Sequence, residues 1–415
     1  MYLLPKPKTI KEQDGQMLLC YSTHIVMTKE VAETEMHAAK RLQEAIRQET
    51  GLILPFSVGE VREGDLSLGI AKTLPEQTYE ITIDEKGGQI SGGDGAGVLY
   101  GVETFCQIVQ QCGGILPCVQ IQDAPDMPNR GYYFDQTRGR VLKLEELKKI
   151  ADRMCRYKLN QLQLYVEHTY LFRDFSEMWR DQTPLTAEEI LELDSYCRER
   201  HIELVPSLAS FGHLCTLLST KTYGDLCEME DSWKEPFSFW NRMRYHTINV
   251  SDERSLPLIK KMIAEYMQLF SSNKFNICAD ETFCLGKYKS KKLAEERGVH
   301  RLYIDYVKEL AQFLVENGKI PMFWGDIIWN SPELMKELPE SMICLNWGYA
   351  PEQREDETRA IAQTGAMQYL CPGVCGWNQW ANLIENSYKN ITRMCGYAAK
   401  YHGIGAVSYT HLTLP

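Results

Sequence analysis

The residues with the clearest capacity for chemistry in this 415-residue chain are two adjacent carboxylates, Asp280 and Glu281, in the run from Phe275 to Gly286. Asn276 to Ala279 reads as a short buried strand that follows a helix-like run from Leu256 to Phe270. The acids therefore fall where a strand leaves the core, the place where barrel enzymes carry their catalytic groups. Neighbouring side chains on a strand point to opposite faces, so the pair can divide two tasks. One acid stays ionised and orients a substrate, while the other is raised in pKa by like charge and desolvation and delivers a proton. An Asp-Glu dipeptide also caps helix N-termini, and position in the fold separates the two readings.

The elements that must position these acids form a repeating series. The linker from Asp123 to Asn129 is rich in turn formers, and strand-like and helix-like runs alternate after it. Expected strands cover Gly131 to Gln136, Asn160 to Val166, His201 to Pro206, Asn276 to Asp280, Ile320 to Trp324, Met342 to Asn346, Ala366 to Leu370 and Gly403 to Val407. Leu147, Ile150 and Met154 share one face of a helix from Leu144 to Tyr157, and Thr186 to Glu189 is a capping-box pattern. Such a series implies an α/β fold, a (β/α)8 TIM barrel with helices outside. Before it, residues 1–125 read as a small α+β domain. That domain has a helix from Glu35 to Gln48, a hairpin around Glu85 to Gly88, and a Gly-rich loop from Gly92 to Gly97 that opens another helix. The loop lacks the P-loop lysine and the dinucleotide spacing, so it reads as tight helix packing rather than a phosphate cradle.

Reactive and aromatic groups gather at the expected strand ends. They are Asp135 and Arg138, Glu167 and His168, His213, Asp280 and Glu281, Trp324 and Asp326, Trp347 and Tyr349, and Trp377 with Trp380. Singly, each has an ordinary structural reading, an ion pair for the arginine or a core place for a tryptophan. Together they mark one rim.

Three segments carry a resemblance to family 20 of the glycoside hydrolases, the β-N-acetylhexosaminidases. Gly95 to Phe105 resembles the last helix of that family's small N-terminal domain. Arg130 to Arg138 resembles its first barrel strand, and Ile277 to Glu281 its catalytic Asp-Glu motif. Leu208 to His213 and Tyr165 to His168 depart from the commoner family patterns and lean toward the hexosaminidase D-like branch. The resemblance implies an exo-acting enzyme that removes terminal N-acetylglucosamine or N-acetylgalactosamine with retention, the substrate's acetamido group serving as nucleophile. It assigns Glu281 as acid and base, and Asp280 as the group that orients the acetamido N–H. Tyr349 bonds the acetamido oxygen, Trp324, Trp347 and Trp377 wall its methyl group, and Arg138 grips sugar hydroxyls. His213 keeps the protonation states of the acids apart, and Glu167 and Asp326 complete the substrate-binding set. No metal or cofactor is implied. The competing readings are an inactive or carbohydrate-binding homologue, a retaining glycosidase whose own Glu167 or Asp326 is the nucleophile, and a metal-dependent hydrolase built on His213, Asp280 and Asp326.

Family members follow the eighth strand with a loop bearing a Trp and an acid, then a last helix. Here no Trp or carboxylate follows His402. The expectation is a catalytic barrel over residues 126–407 that lacks its last helix, with 408–415 a non-native tail on a truncated chain.

Charge and composition bound the partners. A formal net charge of −11, with no basic stripe, argues against nucleic acid. No run approaches a membrane span, and Pro5 with its neighbouring lysines stands where a signal peptide needs apolar residues. The 14 cysteines are scattered without a Cys-x-x-Cys pair and read as thiols of a reducing, cytoplasmic compartment, which leaves the sequon at Asn390 idle.

Overall fold

Period-two alternation and turn chemistry build the first sheet, and continuous apolar strands build the second. The computed structural model describes residues 1–236, 238–376 and 380–410. The chain folds into two compact units, one of residues 1–128, 148–160 and 196–202, the other of 129–147, 161–195 and the chain from Glu203 on.

The first unit holds seven strands: β1 (Thr9–Leu18), β2 (Ile25–Met27), β3 (Phe56–Val58), β4 (Leu66–Ile70), β5 (Tyr79–Asp84), β6 (Gly87–Gly92) and β7 (Ile115–Asp123). They form one mixed sheet in the order β1-β7-β5-β6-β4-β2-β3. The expected hairpin is β5 with β6, paired antiparallel from Tyr79 opposite Gly92 to Asp84 opposite Gly87. The helix Met36–Thr50 buries Ala39, Leu42 and Ile46 and stops at Gly51, whose φ of 76° closes it in the left-handed conformation. Helix Gly95–Cys112 is buried from Ala96 to Val109, so its Gly-rich entry has a packing cause. A Cβ on Gly93 would lie 1.9 Å from the Pro75 carbonyl oxygen, and one on Gly97 2.2 Å from that of Thr78. The carboxylate of Asp94 caps this helix, accepting from the Gly97 N–H at 2.7 Å.

In the second unit, β8 (Asn129–Asp135), β9 (Gln161–Val166), β10 (Glu203–Leu208), β11 (Lys274–Asn276), β12 (Ile320–Trp324), β13 (Ile343–Trp347), β14 (Met367–Cys371) and β15 (Gly405–Thr410) close a parallel barrel in chain order. The expected TIM barrel preceded by a small domain is the observed fold. The capping box at Thr186 forms both of its bonds, Thr186 N–H to Glu189 Oε2 at 2.9 Å and Glu189 N–H to Thr186 Oγ1 at 3.2 Å. One connection departs from the series. Between β12 and β13 stands a 3-10 segment, Pro332–Glu337, which opens on Pro332 and is followed by Pro339.

Two strand boundaries differ from expectation with consequences for the site. β11 stops at Asn276, four residues before Asp280. β15 does not stop at Val407. Gly405 to Val407 pair with Asn129 to Gly131, and Ser408, Tyr409 and Thr410 extend that pairing to Tyr132, Tyr133 and Phe134, three residues past the expected strand end. Ser-Tyr-Thr has too little apolar content to signal a strand by itself. Backbone pairing against β8 supplies what side-chain pattern does not.

Candidate active site

The acids stand on a turn, not on a strand. Asn276 ends β11 by accepting the Cys278 N–H on its own side-chain oxygen at 2.8 Å. Cys278, Ala279 and Glu281 then take φ values of 58°, 63° and 48°. Left-handed backbone at non-glycine residues costs of order 1–3 kcal/mol each and persists where tertiary contacts over-determine it. Several contacts do so here. Ser210 Oγ donates to the Ile277 carbonyl at 2.6 Å, Trp324 N–H to that of Cys278 at 2.9 Å, and Tyr303 OH to that of Ala279 at 3.0 Å. The Glu281 N–H in turn donates to Asp326 Oδ2 at 2.9 Å. Gly212 lets this turn approach, since a Cβ there would lie 2.6 Å from the Asp280 carbonyl oxygen.

This conformation corrects the expectation that alternation sends the two side chains to opposite faces. Both line one cavity of about 350 Å³, at the small end of the range of small-molecule sites, ~300–1,000 Å³. Both also face His213, whose Nε2 lies 3.4 Å from Asp280 Oδ2 and 3.3 Å from Glu281 Oε2. These contacts are ionic rather than well-directed hydrogen bonds.

Burial opposes charge on His213, but the adjacent Asp280 carboxylate outweighs it and raises the imidazole pKa to about 10. Burial likewise opposes ionisation of Asp280, and here the His213 and Arg138 charges win, holding it below the usual carboxylate range. Asp326 goes the other way. Its burial and the negative charge of Asp280 lift it to about 8, against the Glu281 N–H it accepts. The site therefore contains one carboxylate held ionised and one carboxyl held protonated near neutral pH, on either side of Glu281.

Arg138 is buried and braced. Its Nε donates to Asp135 Oδ2 at 2.8 Å, its Nη2 to the Tyr409 hydroxyl at 2.9 Å, and its guanidinium sits 4.6 Å from the centre of the Tyr165 ring. Trp347 stacks on Tyr349 at 5.0 Å, and Tyr349 stacks on Tyr409 at 5.6 Å. Trp324 meets Tyr133 edge-on at 5.0 Å.

Of the residues expected from sequence, Arg138, Asp280, Glu281, Trp324, Trp347 and Tyr349 line the cavity. His213 stands behind the two acids, and Asp326 behind the turn that carries them. Glu167 is withdrawn from the cavity wall. It accepts from Tyr165 OH and from Arg242 Nη2, each at 3.0 Å, and burial is overcome by Arg242 and Arg138 to keep it ionised. Trp377 lies outside the described residues. Tyr133, Tyr165 and Tyr409, and a second group of Phe239, Trp240, Met243 and Phe283, also line the cavity without having been expected there. The period-two positions of Tyr133 and Tyr165 at the ends of β8 and β9 were the available signal for the first two. Among the described residues, the group with metal-ligand spacing is His213, Asp280 and Glu281, within 4.8 Å of one another. Asp326, expected as a ligand in the metal reading, is not part of it.

Comparison with known proteins identifies the family. A model described as glycosyl hydrolase family 20, catalytic domain, matches residues 128–403, and one described as glycosyl hydrolase family 20, domain 2, matches residues 1–124. The chain belongs to glycosyl hydrolase family 20. It is 24% identical over 363 residues to a β-hexosaminidase of Porphyromonas gingivalis, covering 79% of this chain and 45% of that protein. It is 26% identical over 310 residues to one of Vibrio furnissii, covering 67% and 48%. The chain thus spans about half the length of these curated relatives. Among solved structures, Streptomyces plicatus N-acetyl-β-hexosaminidase in complex with Thio-NAglucal superposes with a TM-score of 0.80 at 18% identity, over 99% of this chain and 85% of that one. The β-N-acetylhexosaminidase of Bacteroides fragilis gives 0.77 at 17%, over 98% and 85%. These likenesses show the fold.

Proposed function

We propose that the chain is an exo-acting β-N-acetylhexosaminidase that releases terminal N-acetylhexosamine from glycans or glycosides, with retention and with the substrate's acetamido group as nucleophile. The observation that carries this reading is the pairing of Asp280 and Glu281 on one strained turn, facing one cavity, beside a charged His213. In the first step Glu281 gives its proton to the glycosidic oxygen as the C1–O bond breaks, and the acetamido carbonyl oxygen bonds to C1. Ionised Asp280 accepts the acetamido N–H and stabilises the positive charge of the oxazolinium ring. Glu281, now a carboxylate, takes a proton from water as that water opens the ring at C1, and the sugar leaves with its anomeric configuration retained. Arg138 binds hydroxyls of the terminal sugar, Tyr349 the acetamido oxygen, and Trp324 with Trp347 packs its methyl group. Trp377 is assigned to the same wall.

Two features weigh against an enzyme nucleophile. Glu167 is engaged by Arg242 and Tyr165 away from the cavity, and Asp326 is held in its protonated form. The 14 cysteines are all free thiols, which supports a reducing, cytoplasmic setting. Asn390 is fully buried, its amide bonded to the Gly348 and Ala350 carbonyls.

The test is hydrolysis of a chromogenic N-acetylglucosaminide beside the matching plain glucoside. Turnover of the first alone supports acetamido participation. Turnover of both points to an enzyme nucleophile, and binding without turnover of either to a carbohydrate-binding role.

A further inference from the structure

The leaving group must pass Glu281, and what lies just outside Glu281 is aromatic. Phe283 follows two residues later, its N–H bonded to the Glu281 carbonyl at 2.7 Å. Across the cavity mouth stands the short helix Phe239–Arg244, which buries none of its residues. Phe239, Trp240, Met243 and Phe283 all line the same cavity, with Trp240 63% and Phe283 41% exposed. Large aromatics left this open around a polar rim mark a binding surface more often than a packing one.

This helix is nevertheless held in place. Ser238 Oγ caps it by accepting the Asn241 N–H at 3.0 Å. Arg242 reaches into the barrel to the buried Glu167 at 3.0 Å, and Met243 Sδ lies 3.4 Å from Arg138 Nη1. Trp240 is braced from two sides, by the Phe239 ring at 6.2 Å and by the Arg244 guanidinium 5.0 Å from its centre. A buried carboxylate paired with an arginine is a costly anchor. Used here, it fixes an aromatic ledge beside the acid.

We propose that Trp240 and Phe283, carried by this anchored helix and by the segment after Glu281, form an aglycone site selective for leaving groups with a flat apolar face, either an aryl ring or the C–H face of a second pyranose. This rests on the proposed hexosaminidase reading of the cavity. Such a face stacks on indole or phenyl, whereas a methyl aglycone is too small to reach the ledge.

Binding can be separated from turnover in a Glu281→Gln background. Methyl β-N-acetylglucosaminide, benzyl β-N-acetylglucosaminide and N,N′-diacetylchitobiose, all with leaving groups that need protonation, are titrated calorimetrically against that protein. The same titrations follow with Trp240→Ala or Phe283→Ala added. The expected result is that both larger ligands bind roughly tenfold more tightly than the methyl glycoside, and that either alanine removes most of this advantage while leaving methyl glycoside binding unchanged. Loss confined to the benzyl ligand assigns the ledge to aromatic aglycones, and loss confined to chitobiose assigns it to sugars. An unchanged advantage in both alanine variants overturns the ledge and leaves the hexosaminidase reading standing. So does an equal weakening of all three ligands. If none of the three binds to the Glu281→Gln protein, the hexosaminidase reading falls and the ledge with it. Trp240 and Phe283 are exposed enough that both variants are expected to keep the parent thermal midpoint, which checks folding.

Discussion

Glu281 and Asp280 are told apart by their surroundings rather than by their order in the chain. Glu281→Gln is expected to abolish most turnover of substrates with poor leaving groups and to spare more of it on activated aryl glycosides, which need little protonation. Asp280→Asn is expected to impair both, because charge stabilisation is required whatever departs. Initial rates on a methyl and a nitrophenyl N-acetylglucosaminide decide it, and equal loss on the two for Glu281→Gln removes its assignment as the acid. Asp326 offers a test on stability. Its folded pKa of about 8 lies above its unfolded value of about 3.9. The folded state thus holds a proton that the unfolded state has lost, and that contribution is full below pH ~3.9 and gone above pH ~8. Asp326→Asn keeps an oxygen for the Glu281 N–H but cannot titrate. Its thermal midpoint should climb relative to the parent between pH 5 and 8, with a slope of up to about 1.4 kcal/mol per pH unit. A flat difference across that range shows that Asp326 is ionised in the fold. Composition and position made the two acids legible. Their shared direction was not, because Cys278 and Ala279 have no preference for positive φ and take it only where Ser210, Trp324 and Tyr303 hold their carbonyls and that of Ile277.

At the scale of elements, two segments far apart in sequence meet at Arg138 and Glu167. The helix Phe239–Arg244 lies in an excursion between β10 and Ser255–Met267, where no hydrophobic period announces a helix. Its place is set by long-range contacts, the Arg242–Glu167 ion pair among them, that sequence spacing cannot reveal. Arg242→Leu should release it. Removing Arg242 leaves the buried Glu167 with the more distant Arg138 charge at 3.7 Å, a loss of up to about 3–5 kcal/mol, so the thermal midpoint is expected to fall. Arg242→Leu with Glu167→Leu together should recover much of that stability. Because the pair acts on the cavity mouth, both variants should raise KM for aryl N-acetylglucosaminides more than they lower kcat. A midpoint unchanged in Arg242→Leu, measured by differential scanning calorimetry, refutes the anchor. Glu167 was read from sequence as a substrate ligand because it follows an apolar strand. Its engagement by Arg242 and Tyr165 is a tertiary fact with no local signature.

For the whole molecule, the repeat of strand and helix was the strongest signal in the chain: β12 falls on its expected bounds, β9, β13 and β14 within one residue of theirs, and larger shifts fall on β8, β10, β11 and β15. The least legible part was where the barrel closes. Residues 408–410 carry no strand pattern, yet they pair with β8 and bring Tyr409 against Arg138, Tyr349 and Trp324. A dispensable tail and a closing strand make opposite predictions for a chain ended after Val407. If the tail is dispensable, that chain keeps its activity and its midpoint. If Ser408 to Thr410 extends the closing strand, it loses their ladder bonds with β8, at about 0.5–1.5 kcal/mol each, and the contacts of the Tyr409 ring, about 1.5–3 kcal/mol. Against a typical domain stability of about 5–15 kcal/mol, this should lower the thermal midpoint by roughly 5 °C or more. Tyr409→Phe separates the site from the scaffold, since the ring stays and its hydroxyl contact with Arg138 Nη2 is lost. That variant should hold its midpoint within about 2 °C while kcat/KM on an N-acetylglucosaminide falls roughly tenfold, the effect of losing one hydrogen bond to a charged group. Matching midpoints and rates for the parent and the chain ended at Val407 would return residues 408–410 to the status of a tail.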